Sequence, residues 1–192
     1  MVFTVDDCYN QGDFKRKERL LMNKSECTIG ITGHRYLPTH SLSKLTESIK
    51  EYYREKADEY GLANVTVLSA VAEGADTLGA RLALDEGLRL VIPLPMAAID
   101  YRKDFSGLSV IEFDRLLTLA DEVFVVLPSE QLPNEKSRGF SYRQAGLYIV
   151  KQCDVLLAVW DGAKGDTLDG AGTWETVKLA QEAGKPIHVV AI

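Results

Sequence analysis

Cys27-Thr28-Ile29-Gly30-Ile31-Thr32-Gly33-His34-Arg35 is the stretch whose reading decides the fold. Residues 28–32 are rich in β-branched types and read as a strand. The run stops at Gly33, Pro38 follows, and apolar residues recur at helical spacing from Ser41 onward. Strand, tight glycine turn and helix make the βα unit on which nucleotide-binding sheets seat phosphates. Arg35 suits that role, because its planar fork can grip two oxygens at once. The same residues also fit an ordinary βα turn with a surface arginine, and short glycine motifs often match by chance.

Outward from this stretch, strand and helix patterns alternate. The spacing predicts a helix over 41–60, with Leu42, Leu45, Ile49, Tyr52 and Tyr53 on one stripe and Gly61 as its stop. A strand at 65–69 and a helix at 75–86 follow, then a strand at 89–93. Ser109 and Glu112 have the spacing of a capping box for the next helix. Further strands fall at 122–127, 154–160 and 187–192, with helices at 139–152 and 173–183. The strands are short uninterrupted apolar runs, as in a parallel sheet covered on both faces. The expectation is an α/β, doubly wound, Rossmann-like three-layer sandwich with six strands in the order 3-2-1-4-5-6. Its switch point would lie between the first and fourth strands. Residues 27–192 read as a single domain that is complete or a piece of something longer. Residues 1–26, with five basic and five acidic side chains, read as a polar arm. The loop 128–137, with two prolines, reads as a lid.

Of the 192 residues, 46% are hydrophobic and 26% charged, ordinary for a globular protein. The net charge of −6 argues against a duplex nucleic-acid partner, which usually needs a net basic face, so the expected partner is a small-molecule nucleotide rather than nucleic acid. A protein-interaction or single-strand-binding module using the same sheet edge is a further reading. Cys8, Cys27 and Cys153 form no paired framework, which fits a reducing, cytoplasmic setting. His34, His40 and His188 have no metal-ligand spacing, so no metal is expected. No apolar run of ~20 residues offers a membrane span.

The polar residues collect at the carboxyl ends of the proposed strands. Gly33, His34 and Arg35 end the first, and Glu73, Gly74 and Asp76 follow the second. Asp161 follows the fifth, and Gly170, Gly172, Thr173 and Glu175 open the last helix. Two glycines before a helix start let backbone N–H groups approach an anion, and the Thr173 hydroxyl can donate as well. Thr173 fits a plain N-cap equally in form. Glu73 and Asp76 suit a ribose or base contact, or simply the positive end of a helix dipole. Asp161 fits a sugar contact or a turn. Tyr101 and Arg143 are candidate base or lid contacts, with core packing and exposed ion pairing as the plainer alternatives.

As an ordered set these motifs resemble the superfamily of lysine-decarboxylase-like ("Lonely guy") phosphoribohydrolases, DNA-processing protein A proteins and related nucleotide-sensing domains (the LSDAT or SLOG group). Gly30-Ile31-Thr32-Gly33-His34-Arg35 looks like the group's first-strand motif. Ser69 to Asp76 is similar to the Ser-Gly-x-Ala-x-Gly-Ile-Asp of the DNA-processing proteins. The run from Asp154 to Gly162, with Gly172-Thr173, resembles the shared strand and Gly-x-Gly-Thr loop. The resemblance implies the fold, a nucleotide ligand with no other cofactor, and a homodimer as the assembly. For activity it implies two alternatives. One is a binding or sensor domain. The other is a nucleoside 5′-monophosphate phosphoribohydrolase (an N-glycosidase) using Glu175 or Glu73. The phosphoribohydrolase motif places its glutamate three residues after the threonine, where this chain has Thr176. Glu175 is one residue earlier, a rotation of ~100° on a helix.

Overall fold

In the computed structural model, residues 25–126, 138–164 and 172–192 are described. The candidate arm up to residue 24, with Cys8, and the candidate lid 128–137 lie outside them. Six strands form one sheet: β1 (Cys27–Gly33), β2 (Val65–Leu68), β3 (Arg89–Leu94), β4 (Glu122–Val125), β5 (Val155–Trp160) and β6 (Ile187–Ala191). Every pairing is parallel. The helices are α1 (Leu42–Tyr60), α2 (Ala75–Asp85), the single turn α3 (Ala98–Tyr101), α4 (Leu108–Leu119), α5 (Arg138–Gln152) and α6 (Thr173–Glu182).

The class is the expected α/β, doubly wound, Rossmann-like sandwich. The strand order is β4-β3-β2-β1-β5-β6, which corrects the expected position of β4. β4 lies outside β3, and β5 is the strand beside β1. The reason is local. α4 packs next to α2 in the same apolar layer, so the chain steps on in the same direction. Asp121 then fixes the entry to β4: its N–H donates to the Leu90 carbonyl (2.9 Å) and its carboxylate accepts the Leu90 N–H (2.8 Å). Only after β4 does α5 return across the opposite face to β5.

The apolar residues divide accordingly. Ile29, Ile31, Val67, Leu90 and Ile92 point with α1, α2 and α4 into one layer. Gly30, Leu156 and Ala158 face Ile149 of α5, Cys153 just after it, and Val177 and Ala180 of α6 in the other. Ile29 and Ile31 are fully buried, each stabilising the fold by about 2–3 kcal/mol through loss of water contact. α4 starts one residue before the expected capping serine. Gly107 is its N-cap, and the Ser109 hydroxyl bonds back to Ser106 instead. Among the described residues, no helix is long and apolar enough to cross a membrane.

Candidate functional site

β1 is the strand from which the sheet runs in opposite directions, towards β2 on one side and β5 on the other. Such a switch point leaves a crevice beyond the carboxyl ends of the strands. A cavity of about 330 Å³ lies there. Its floor is apolar, with Ile31, Ala145, Ile149 and Leu179, and its walls are polar.

The first wall comes from β1. A side chain at Gly33 would stand 2.5 Å from the Ala75 Cβ and 2.6 Å from the Val159 carbonyl, so the strand end can nestle between α2 and β5 only without one. The His34 N–H donates to the Val159 carbonyl (3.1 Å), and the His34 carbonyl accepts the Ala75 N–H (3.0 Å). This aims Arg35 along the cavity edge. Its Nε and Nη2 both donate to Glu73 Oε2 (3.2 and 3.1 Å), and Nη2 also reaches the Asp104 carbonyl (2.8 Å).

The loop after β2 makes the second wall. The Ser69 hydroxyl donates to the Asp76 carbonyl (2.9 Å) and accepts the Val71 N–H (3.1 Å). Val71 has φ 51°, a left-handed conformation that is strained for a β-branched residue. Asp76, in the first turn of α2, is buried against the cavity floor. Burial raises its carboxyl from 3.8 to about 7, opposed in part by the Ala72 N–H.

α6 and α5 close the far side. Gly172 is the N-cap of α6 and Thr173 its first residue, so Thr173 is not the capping side chain. The Thr176 N–H and hydroxyl both return to the Gly172 carbonyl (3.1 and 3.2 Å). Arg143 Nε faces Glu175 Oε1 at 3.6 Å. Tyr142 donates its hydroxyl to Asp104, whose other oxygen takes Arg138. Burial first, then Asp104, raises the Tyr142 hydroxyl above its ordinary range.

Nine candidate residues therefore meet on one cavity: Gly33, Arg35, Glu73, Asp76, Tyr101, Arg143, Gly172, Thr173 and Glu175. Tyr101 does so as part of the core. It is buried, with Phe105 and Phe113 edge-on at 5.2 and 5.6 Å, and burial holds its hydroxyl well above the usual range. His34 and Asp161 form a pair beside the cavity (Nε2 to Oδ1, 3.0 Å), linking the loops after β1 and β5. The Ala163 N–H, then His34, lowers the Asp161 carboxyl. Gly74 supports the wall from behind, and Gly170 lies outside the described residues. Asp104 and Thr176 were not expected. The Asp104 carboxylate finds its partners, Tyr142 and Arg138, only through the approach of α5.

Fold and site together define a Rossmann-like α/β domain with a cavity at the sheet switch point. No protein-family model matches the chain, and no curated protein matches it in sequence. Solved structures share its fold. DNA processing protein A (DprA) from Streptococcus pneumoniae superposes with a TM-score of 0.59 at 16% identity, over 86% of this chain and 50% of that one. DNA processing protein A from Helicobacter pylori, whose structure describes a single-stranded DNA binding mode, gives 0.56 at 16% identity, over 89% and 67%. The chain thus spans half the length of the Streptococcus protein. At this identity the likeness shows the fold, in agreement with the motif resemblance. It also overturns one inference: a net charge of −6 does not argue against nucleic acid, because a protein of this fold binds single-stranded DNA.

Proposed function

We propose that the protein binds a nucleotide or nucleotide-derived ligand in the switch-point cavity, as a binding or sensor domain. The observation that carries this reading is the pairing, in one cavity, of a guanidinium wall, Arg35, with the start of α6 at Gly172 and Thr173. Both are groups suited to a phosphate, the second through the N–H groups of a first helical turn. The partly exposed apolar lining, Ala70, Ala72 and Leu179, offers a surface for a base. A volume of about 330 Å³ sits at the lower end of small-molecule pockets, on the order of 300–1,000 Å³. A terminal nucleotide of a single strand carries the same chemistry, so a short oligonucleotide belongs among the ligands.

Calorimetry with mono-, di- and cyclic nucleotides and a short single strand tests this. Saturable binding that Arg35→Ala weakens is expected. No binding of any of them at millimolar concentration overturns it.

A second reading rests on Glu73 and Glu175, two carboxylates lining the same cavity. In an N-glycosidase one of them would assist departure of the base while Arg35 held the phosphate. Release of free base from AMP, GMP or CMP distinguishes the two readings. Release that Glu175→Gln leaves unchanged removes Glu175 from the chemistry.

A further inference from the structure

The Arg35 fork already holds an anion. Two of its nitrogens converge on one oxygen of Glu73, and one of them is shared with the Asp104 carbonyl. The Glu73 carboxylate therefore occupies the position that a phosphate held by this fork would take. The second arginine of the cavity is matched in the same way, Arg143 by Glu175. Asp104 is matched from outside by Arg138. Among the described residues the three arginines thus face Glu73, Glu175 and Asp104, and each guanidinium there already has a carboxylate partner.

We propose that Glu73 is the specificity-determining residue of this cavity. It holds the Arg35 fork against inorganic anions and polyphosphates, and yields it to a ligand with one phosphate whose organic body also fills the cavity. The inference rests on the nucleotide reading of the site. An entering anion breaks a charge-assisted contact and meets a like charge at the same place. Each further phosphate adds to that repulsion. A base against the partly exposed apolar lining, Ala70, Ala72 and Leu179, supplies the compensating contact, which inorganic phosphate lacks. Glu73 is able to swing aside, being a third exposed on a loop, whereas Asp76 is buried in a helix.

The test is calorimetry on the whole chain, in EDTA, with inorganic phosphate, AMP, ADP and ATP. The wild type should prefer AMP to ADP and ADP to ATP, with phosphate weakest. Glu73→Gln should tighten phosphate and ATP by about tenfold while changing AMP less. Glu73→Ala should move them in the same direction, and Glu175→Gln should not reproduce the gain. Unchanged phosphate and ATP affinity in Glu73→Gln overturns the proposal. So does an equal gain in Glu175→Gln, which would assign the effect to the general field of the cavity. If the wild type ignores AMP while Glu73→Gln still gains phosphate affinity, the nucleotide reading alone fails. If AMP binds and Glu73→Gln gains nothing, the role of Glu73 alone fails.

Discussion

Gly74 lies against the backbone of Arg35: a Cβ at Gly74 would stand 2.2 Å from the Arg35 carbonyl oxygen and 2.4 Å from that of His34. The loop after β2 is thereby pressed onto the loop after β1, and the Ala75 N–H to His34 carbonyl bond closes the contact. Gly74 also has φ 98°, a conformation that any side chain strains. The position of Arg35 at the cavity is thus set by a residue with no side chain.

Gly74→Ala must relieve both the clash and the strain by moving backbone. A loss of stability on the order of 2–4 kcal/mol is expected in urea denaturation. Ligand affinity should fall with it, because Arg35 moves. A variant as stable as the wild type would show that the two loops are not packed as described.

Val71 gives a comparison of opposite sign. It is fully buried, yet its φ is 51°, a strain of about 1–3 kcal/mol. At most buried positions glycine is about 1 kcal/mol less stable than alanine. Here glycine adopts the backbone freely, so Val71→Gly should be more stable than Val71→Ala by roughly that amount. Parallel thermal melts of the two variants decide the matter, and the ordinary order would mean that Val71 is unstrained.

Asp154 marks the limit of what the sequence disclosed. Its carboxylate accepts the Thr28 N–H (2.9 Å) and its own N–H donates to the Thr28 carbonyl (2.7 Å). This pair registers β5 beside β1. The alternation of strands and helices was legible, and so was the gathering of Arg35, Glu73, Asp76, Gly172 and Glu175 at one sheet edge. Both follow from periodicity and from the rule that parallel strands present their carboxyl ends together. The place of β4 was not legible. A short apolar run carries no label for its neighbour, and the Asp121 and Asp154 clamps become visible only once the strands are paired. The same holds for the Asp104 carboxylate, whose partners arrive from α5. Asp154→Ala should cost about 1–2 kcal/mol by orphaning the Thr28 donor, measured by urea denaturation. No change in stability would mean that water replaces the contact.

Arg35→Lys tests geometry separately from charge. Lysine keeps the positive charge but offers a point donor in place of a planar fork. Phosphate-bearing ligands should bind the variant about tenfold more weakly, with the salt dependence of binding retained. Equal affinity by calorimetry would show that Arg35 acts only through its charge.

Asp76 should make stability depend on pH in a direction unusual for a carboxylate. Burial places its folded pKa at about 7, whereas an unfolded aspartate titrates near ~3.9. Between those values the folded chain keeps a proton that the unfolded chain has released. The Asp76 contribution to stability is therefore complete below about pH 4 and falls as pH rises towards ~7, then levels off once both states are ionised. Asp76→Asn is neutral throughout and lacks this slope, while the other carboxylates act alike in both chains. The difference between variant and wild type should therefore be smallest at pH 4. It should grow to about 2–4 kcal/mol in favour of the asparagine variant at pH 8. Urea denaturation of both chains across that range measures it, and a flat difference would mean that Asp76 titrates as an exposed residue. A ligand that donates a hydrogen bond to Asp76 favours its ionised form. With such a ligand bound, the falling part of the curve should move to lower pH.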